Sequence, residues 1–117
     1  MKKKYFLLKV FITFLCFTTS VSSSKSNFFI EGKTLFEKNE FDKSKIFFER
    51  DIVFNPSSEE SYLYLAKIFN KKKNDSEEEM NLNNVLLLNP NNDEAIYMLT
   101  LLRIKQSNYH EAKELIK

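Results

Sequence analysis

At 117 residues, with 12 Phe, no Trp, one Gly and two Pro, the chain has room for one domain and too few turn formers for an all-β fold. Its formal charge of +2 comes from the leader: four of the 18 basic residues are Lys2, Lys3, Lys4 and Lys9, leaving 14 against 16 acids downstream, a net −2. A body so near neutrality excludes nucleic-acid binding by electrostatics, and a single cysteine, Cys16, excludes an intramolecular disulfide framework.

Residues 1–23 are read as a signal peptide or a membrane or lipid anchor. Met1 to Lys4 is a basic start, Val10 to Phe17 a short apolar centre, and Thr18 to Ser24 a small-residue end, the layout of a secretory leader. The apolar run is too short to span a bilayer comfortably and Lys9 interrupts it. An uncleaved anchor or a buried first helix is the alternative. For Cys16 two readings stand. It becomes the lipidated first residue of a mature lipoprotein, or it is discarded with the leader; Leu15, where a lipoprotein signal wants a small residue, favours the second. A mature chain without cysteine suits an oxidising compartment.

After a linker at 24–27, residues 28–117 repeat with a period of 34, seen first in Phe54-Asn55-Pro56 returning as Leu88-Asn89-Pro90. Gly32, Ala66 and Thr100 share a small column; Phe28, Tyr62 and Ile96 a large one; Phe48, Leu82 and Ile116 a third; Ile52 and Leu86 a fourth. Each period carries two runs at helical spacing. The first run holds Phe28, Leu35 and Phe36, then Tyr62, Leu65, Ala66 and Phe69, then Ile96, Leu99 and Arg103. The second holds Phe41, Ile46, Phe47, Phe48, Ile52 and Phe54, then Met80, Leu82, Val85, Leu86 and Leu88. Ser57 with Glu60, Ser76 with Glu79, Asn91 with Glu94 and Asn108 with Glu111 have capping-box spacing. Pro56 and Pro90 forbid continuation. The prediction is an all-α chain of antiparallel helix pairs, about two and a half to three repeats, near 25–58, 59–92 and 93–117.

As a set, these columns resemble the tetratricopeptide repeat (TPR) family. That family places a bulky residue at the fourth position, small residues at the eighth and twentieth, an aromatic at the seventeenth, an aromatic or aliphatic at the twenty-fourth, and Pro near the end. Here Phe28, Gly32, Phe41, Ser44, Phe48 and Pro56 match in the first repeat, and Ile96, Thr100, Tyr109, Ala112 and Ile116 in the third. The second keeps Tyr62, Ala66, Leu82 and Pro90 but departs at Asp75 and Glu78, which predicts a shifted or frayed start for its second helix. The resemblance implies a short TPR-like α-solenoid whose first helices line a partner-binding groove. By its columns that groove comprises Phe29, Lys33 and Phe36; Leu63, Lys67 and Asn70; and Tyr97, Leu101 and Ile104. A groove of aromatics, aliphatics and two lysines would take an apolar segment with some acidic character. Phe29 and Tyr97 are equally readable as core.

No catalytic, cofactor or metal constellation is found. His110 is the sole histidine and its neighbour Glu111 points elsewhere on a helix; Gly32 stands alone, without a phosphate loop. Lys71-Lys72-Lys73 and Glu77-Glu78-Glu79 read as a solvated turn and a solvated helix start. Leu101, Leu102, Leu115 and Ile116 form an uncovered C-terminal face, which predicts association with a second copy or a partner subunit. The expectation is a non-enzymatic protein–protein interaction adaptor of the bacterial envelope or periplasm, touching membrane only through its N-terminal segment. Its alternatives are an accessory (lipoprotein) subunit of an outer-membrane protein assembly complex and a membrane-tethered regulator with an uncleaved leader.

Overall fold

The computed structural model describes residues 25–106, with Glu114 and Ile116. These fold as five helices: α1 Asn27–Glu37, α2 Phe41–Phe54, α3 Glu59–Lys71, α4 Asp75–Leu88 and α5 Asp93–Lys105. From α2 to α4, and from α3 to α5, both helix ends move by 34 residues, so the sequence period is also the period of the backbone. The fold is an all-α stack of antiparallel helix pairs. The leader with Cys16, and the stretch 107–113 with His110, lie outside the described residues.

The two kinds of turn have separate causes. Within a pair, Asn39 and Lys73 both take left-handed backbone, with φ of 60° and 55°. In the first such turn the amides of Asn39 and Glu40 donate to the Phe36 and Leu35 carbonyls; in the second, Lys73 and Asn74 donate to Asn70 and Phe69. This Schellman pattern satisfies carbonyls that the helix end would otherwise strand. Between pairs, Pro56 and Pro90 force Asn55 and Asn89 into extended backbone, with φ of −134° and −141°, and so end α2 and α4.

Two helix starts are capped one or two residues ahead of or behind the predicted boxes. Asn92, not Asn91, accepts from the Ala95 amide at 2.8 Å, and Asn74, not Ser76, accepts from Glu77 at 3.3 Å. With Asn74 as its cap, α4 begins at the position equivalent to Phe41, so the expected shift or fraying at Asp75 does not occur. A polar cap replaces the missing aromatic as the feature that fixes this start.

Burial divides into two clusters with α3 between them. Leu65, Ile68 and Phe69 of α3 join Phe29 and Phe48, while Leu63 and Ala66 join Leu82, Val85, Ala95, Leu99 and Leu102. Gly32, Ala66 and Thr100, the small column, are all buried. A Cβ at Gly32 would lie 3.0 Å from the Phe48 ring, so any larger residue would require that ring to give by a few tenths of an ångström. Not every apolar residue of the second helices packs: Ile46, Phe54, Met80 and Leu88 are exposed, as are Val53 and Leu87. The apolar face of α2 and α4 is therefore wider than the core that uses it.

A buried acid joins the first three helices. Asp51, in the last turn of α2, is 1% exposed. It accepts hydroxyl donation from Ser26 ahead of α1, from Ser58 ahead of α3 at 2.6 Å, and from Ser61 within α3. Ser58 therefore makes no cap of its own. Burial pushes the Asp51 carboxyl up, and the three hydroxyls together outweigh it and hold the group below its ordinary 3.8. At the next junction Val85 and Ala95, both sealed, stand where Asp51 and Ser61 stand here.

That substitution supplies a test. Asp51→Val alone removes the acceptor of the buried Ser61 hydroxyl, leaving it only Ser58 at 3.0 Å, and should cost about 1–3 kcal/mol, whereas adding Ser61→Ala should recover most of it, because the buried pair is then apolar. The folded-state pKa of Asp51 is depressed, so its contribution is present above the unfolded value of 3.8 and is lost as pH falls through the folded one. Urea unfolding at neutral and acid pH should show a shallower acid loss in the double variant than in wild type.

Candidate functional site

The column Phe29, Leu63, Tyr97 meets three environments. Phe29 is 4% exposed and lies in the core against Phe48 and Tyr64, with ring centroids at 5.7 and 5.8 Å. Leu63 is buried in the second cluster. Tyr97 is 62% exposed. Phe29 and Leu63 are thus core residues, not groove residues, because a further helix packs over each of them. Tyr97 remains at the surface.

Phe36 is partly buried. Its ring centroid lies 5.3 Å from Phe41 and 5.1 Å from Tyr64, both edge-on. Tyr64 stacks on Phe48 at 4.9 Å. These rings fill the space between α1, α2 and α3, so the first repeat offers no open groove at Phe36. The two groove lysines are engaged by acids: Lys33 lies 4.0 Å from Glu37, and Lys67 lies 2.8 Å from Glu94 with its ammonium over the Tyr64 ring. Neither is left as an unmatched charge for an acidic partner.

What stays open is on α5. Tyr97, Leu101 and Ile104 are exposed at the i, i+4, i+7 spacing that makes one stripe. Tyr97 and Leu101 also line a pocket of about 290 Å³ with Met98, Leu102, Lys105, Asn70 and Glu78. Asn70, the remaining expected groove residue, donates from Nδ2 to Glu78 Oε1 at 3.0 Å. Of the uncovered face expected at the C-terminal end, Leu101 and Ile116 are exposed and Leu102 is buried; Leu115 is outside the described residues.

Glu78 corrects the reading of Glu77-Glu78-Glu79 as a solvated run, since it is 2% exposed. Glu79 is half-buried and bridges to the Arg103 guanidinium of α5. Burial pushes the Glu78 carboxyl above its ordinary 4.5, helped by the Asp75 carboxylate and opposed by the Asn70 amide and Lys105. An acid whose folded pKa is raised costs stability as pH rises through that range, the opposite sign from Asp51. The signal for Glu78 lay in its column, where Ser44 of the first repeat is small enough to donate to the Gly32 carbonyl at 2.7 Å.

No protein-family model matches the chain, and no curated protein matches it. Among the described residues, no helix is long and apolar enough to cross a membrane.

The two halves of the expected groove should respond differently to charge. Phe36→Asp places a carboxylate among rings and should destabilise the fold by about 3 kcal/mol or more. Leu101→Asp, on the exposed stripe, should stay within about 0.5 kcal/mol of wild type. Thermal or urea unfolding of the two variants separates them.

Proposed function

We propose that this chain is a non-enzymatic interaction module of the TPR type that holds a partner polypeptide against α5. The observation that carries the reading is the exposed stripe Tyr97, Leu101 and Ile104 beside an open pocket, on a helix otherwise anchored by Ala95, Leu99 and Leu102. Aromatic and aliphatic side chains of this kind carry most of the affinity in protein interfaces. The 34-residue period, present in both sequence and helix boundaries, supports the TPR assignment. The basic, apolar and small-residue order of residues 1–23 supports delivery to the bacterial envelope.

The test is capture from an envelope extract by the wild-type chain and by a Tyr97→Asp, Leu101→Asp variant. The variant should keep its helical circular dichroism and lose the wild-type partner. Equal capture by both would refute the reading. Mass spectrometry of the natural protein's first residue decides among the leader alternatives: acylated Cys16, a free end near Ser24, or an intact Met1.

A further inference from the structure

The pocket on α5 has a counterpart in the first repeat, and the comparison shows what was exchanged. There, Phe36, Phe41 and Tyr64 close the space with rings. One period later the same columns hold Asn70, Asp75 and Met98, and Ser44 becomes Glu78. Three ring positions have thus become an amide, an acid and a thioether; the amide and the thioether line a cavity of about 290 Å³, with the Glu78 carboxyl group at its wall.

Among the described residues no cation pairs directly with that carboxyl. Asn70 is its only hydrogen-bond donor among the described residues, and it bonds one oxygen, Oε1. Glu78 is one of the residues lining the pocket, and its second oxygen has no hydrogen bond among the described residues. The neighbouring cations are committed elsewhere: Lys105 Nζ lies 2.5 Å from Asp75 Oδ1, and Arg103 bridges to Glu79. A carboxylate held this deep without a cation in contact is costly, since the Lys105 ammonium acts on it only from its pairing with Asp75, and an incoming positive group would offset that cost.

We propose that the pocket between α3, α4 and α5 receives a lysine or arginine side chain of the partner polypeptide, its cationic head on Glu78 and its aliphatic stem along Met98, Leu101 and Leu102. The inference rests on the interaction-module reading and names the chemistry of its partner. An anionic group would meet the Glu78 carboxyl, and the one lysine on the wall, Lys105, is already paired with Asp75. A purely apolar group would bury the carboxylate further without a countercharge. A basic side chain, apolar along its stem and charged at its tip, suits both walls. The groups facing Glu78 are Asn70 from α3, Asp75 on its own helix and Lys105 from α5. Protonating Glu78 removes the countercharge, and its raised pKa places that loss at a higher pH than for an exposed glutamate.

The test is an NMR titration of the full chain, ¹³C-labelled at the methionine methyls, with n-butylguanidinium chloride; 1-butanol and sodium butyrate serve as neutral and anionic controls. The Met98 methyl should shift saturably with the cation, with a dissociation constant on the order of a millimolar, and barely with either control. Glu78→Ser, the residue of the equivalent column, and the isosteric Glu78→Gln should each weaken binding about tenfold or more while the chain stays folded by circular dichroism. Cation binding should also fade on mild acidification. Equal shifts with butanol, an unchanged titration in both variants, or no saturable shift at all would overturn the proposal. If the cation fails to bind while the Tyr97→Asp, Leu101→Asp variant still loses its partner, this inference falls and the module reading survives. If both fail, the module reading falls with it.

Discussion

The Phe48 ring rests on Gly32, and the placement of the first three helices follows from that contact. Phe48 is sealed from solvent, tilted against Phe29 and stacked on Tyr64, so α1, α2 and α3 meet around one side chain. Glycine lets the two helices of the pair come close, and the Ser44 hydroxyl closes the approach on the Gly32 carbonyl. The second repeat solves the same crossing with other volumes, Ala66 with Leu82, both fully buried. The small residue gains a methyl where the large one loses a ring, so the volume at the crossing is redistributed between the two helices.

The same economy of backbone and freedom of side chain appears at each junction. One inter-repeat joint is a carboxylate ringed by serines; the next is Val85 with Ala95. One intra-repeat space is packed with rings; its successor contains Glu78 and a cavity. Where the first repeat spends its side chains on cohesion, the second leaves space, and that space adjoins the exposed stripe of α5. The candidate site is therefore a departure from the repeat, located by comparing equivalent positions and not by any residue type alone.

The architecture was legible because its determinants are local. Asn-Pro pairs, helical spacing and recurring small residues specify helix ends and crossing points without reference to distant contacts. The site was less so. Phe29, Phe36 and Leu63 fall in columns that a groove would use, yet whether such a residue faces solvent depends on the neighbouring helix: Tyr64 reaches back over Phe29 and Phe36, and no sequence period announces that reach. Lys67 reads as a free cation until Glu94, on another helix, takes it. The acidic run was read as solvated because two of its neighbours in sequence are acids, although Glu78 stands in a column reserved for small residues and that conflict was visible. Tyr97, equally readable as core, is exposed together with Leu101 and Ile104 because α5 presents them on one face.

The most direct test of this packing account is a double-mutant cycle at the first crossing, read by urea unfolding. Gly32→Ala should destabilise the wild-type chain, because the new methyl meets a ring that Tyr64 and Phe29 prevent from moving. In the F48L background, which copies the second repeat's pair, the same change should be neutral or stabilising, giving a coupling of about 0.5–3 kcal/mol. Additive effects, with Gly32→Ala equally tolerated in both backgrounds, would contradict the claim that this contact sets how the helices cross.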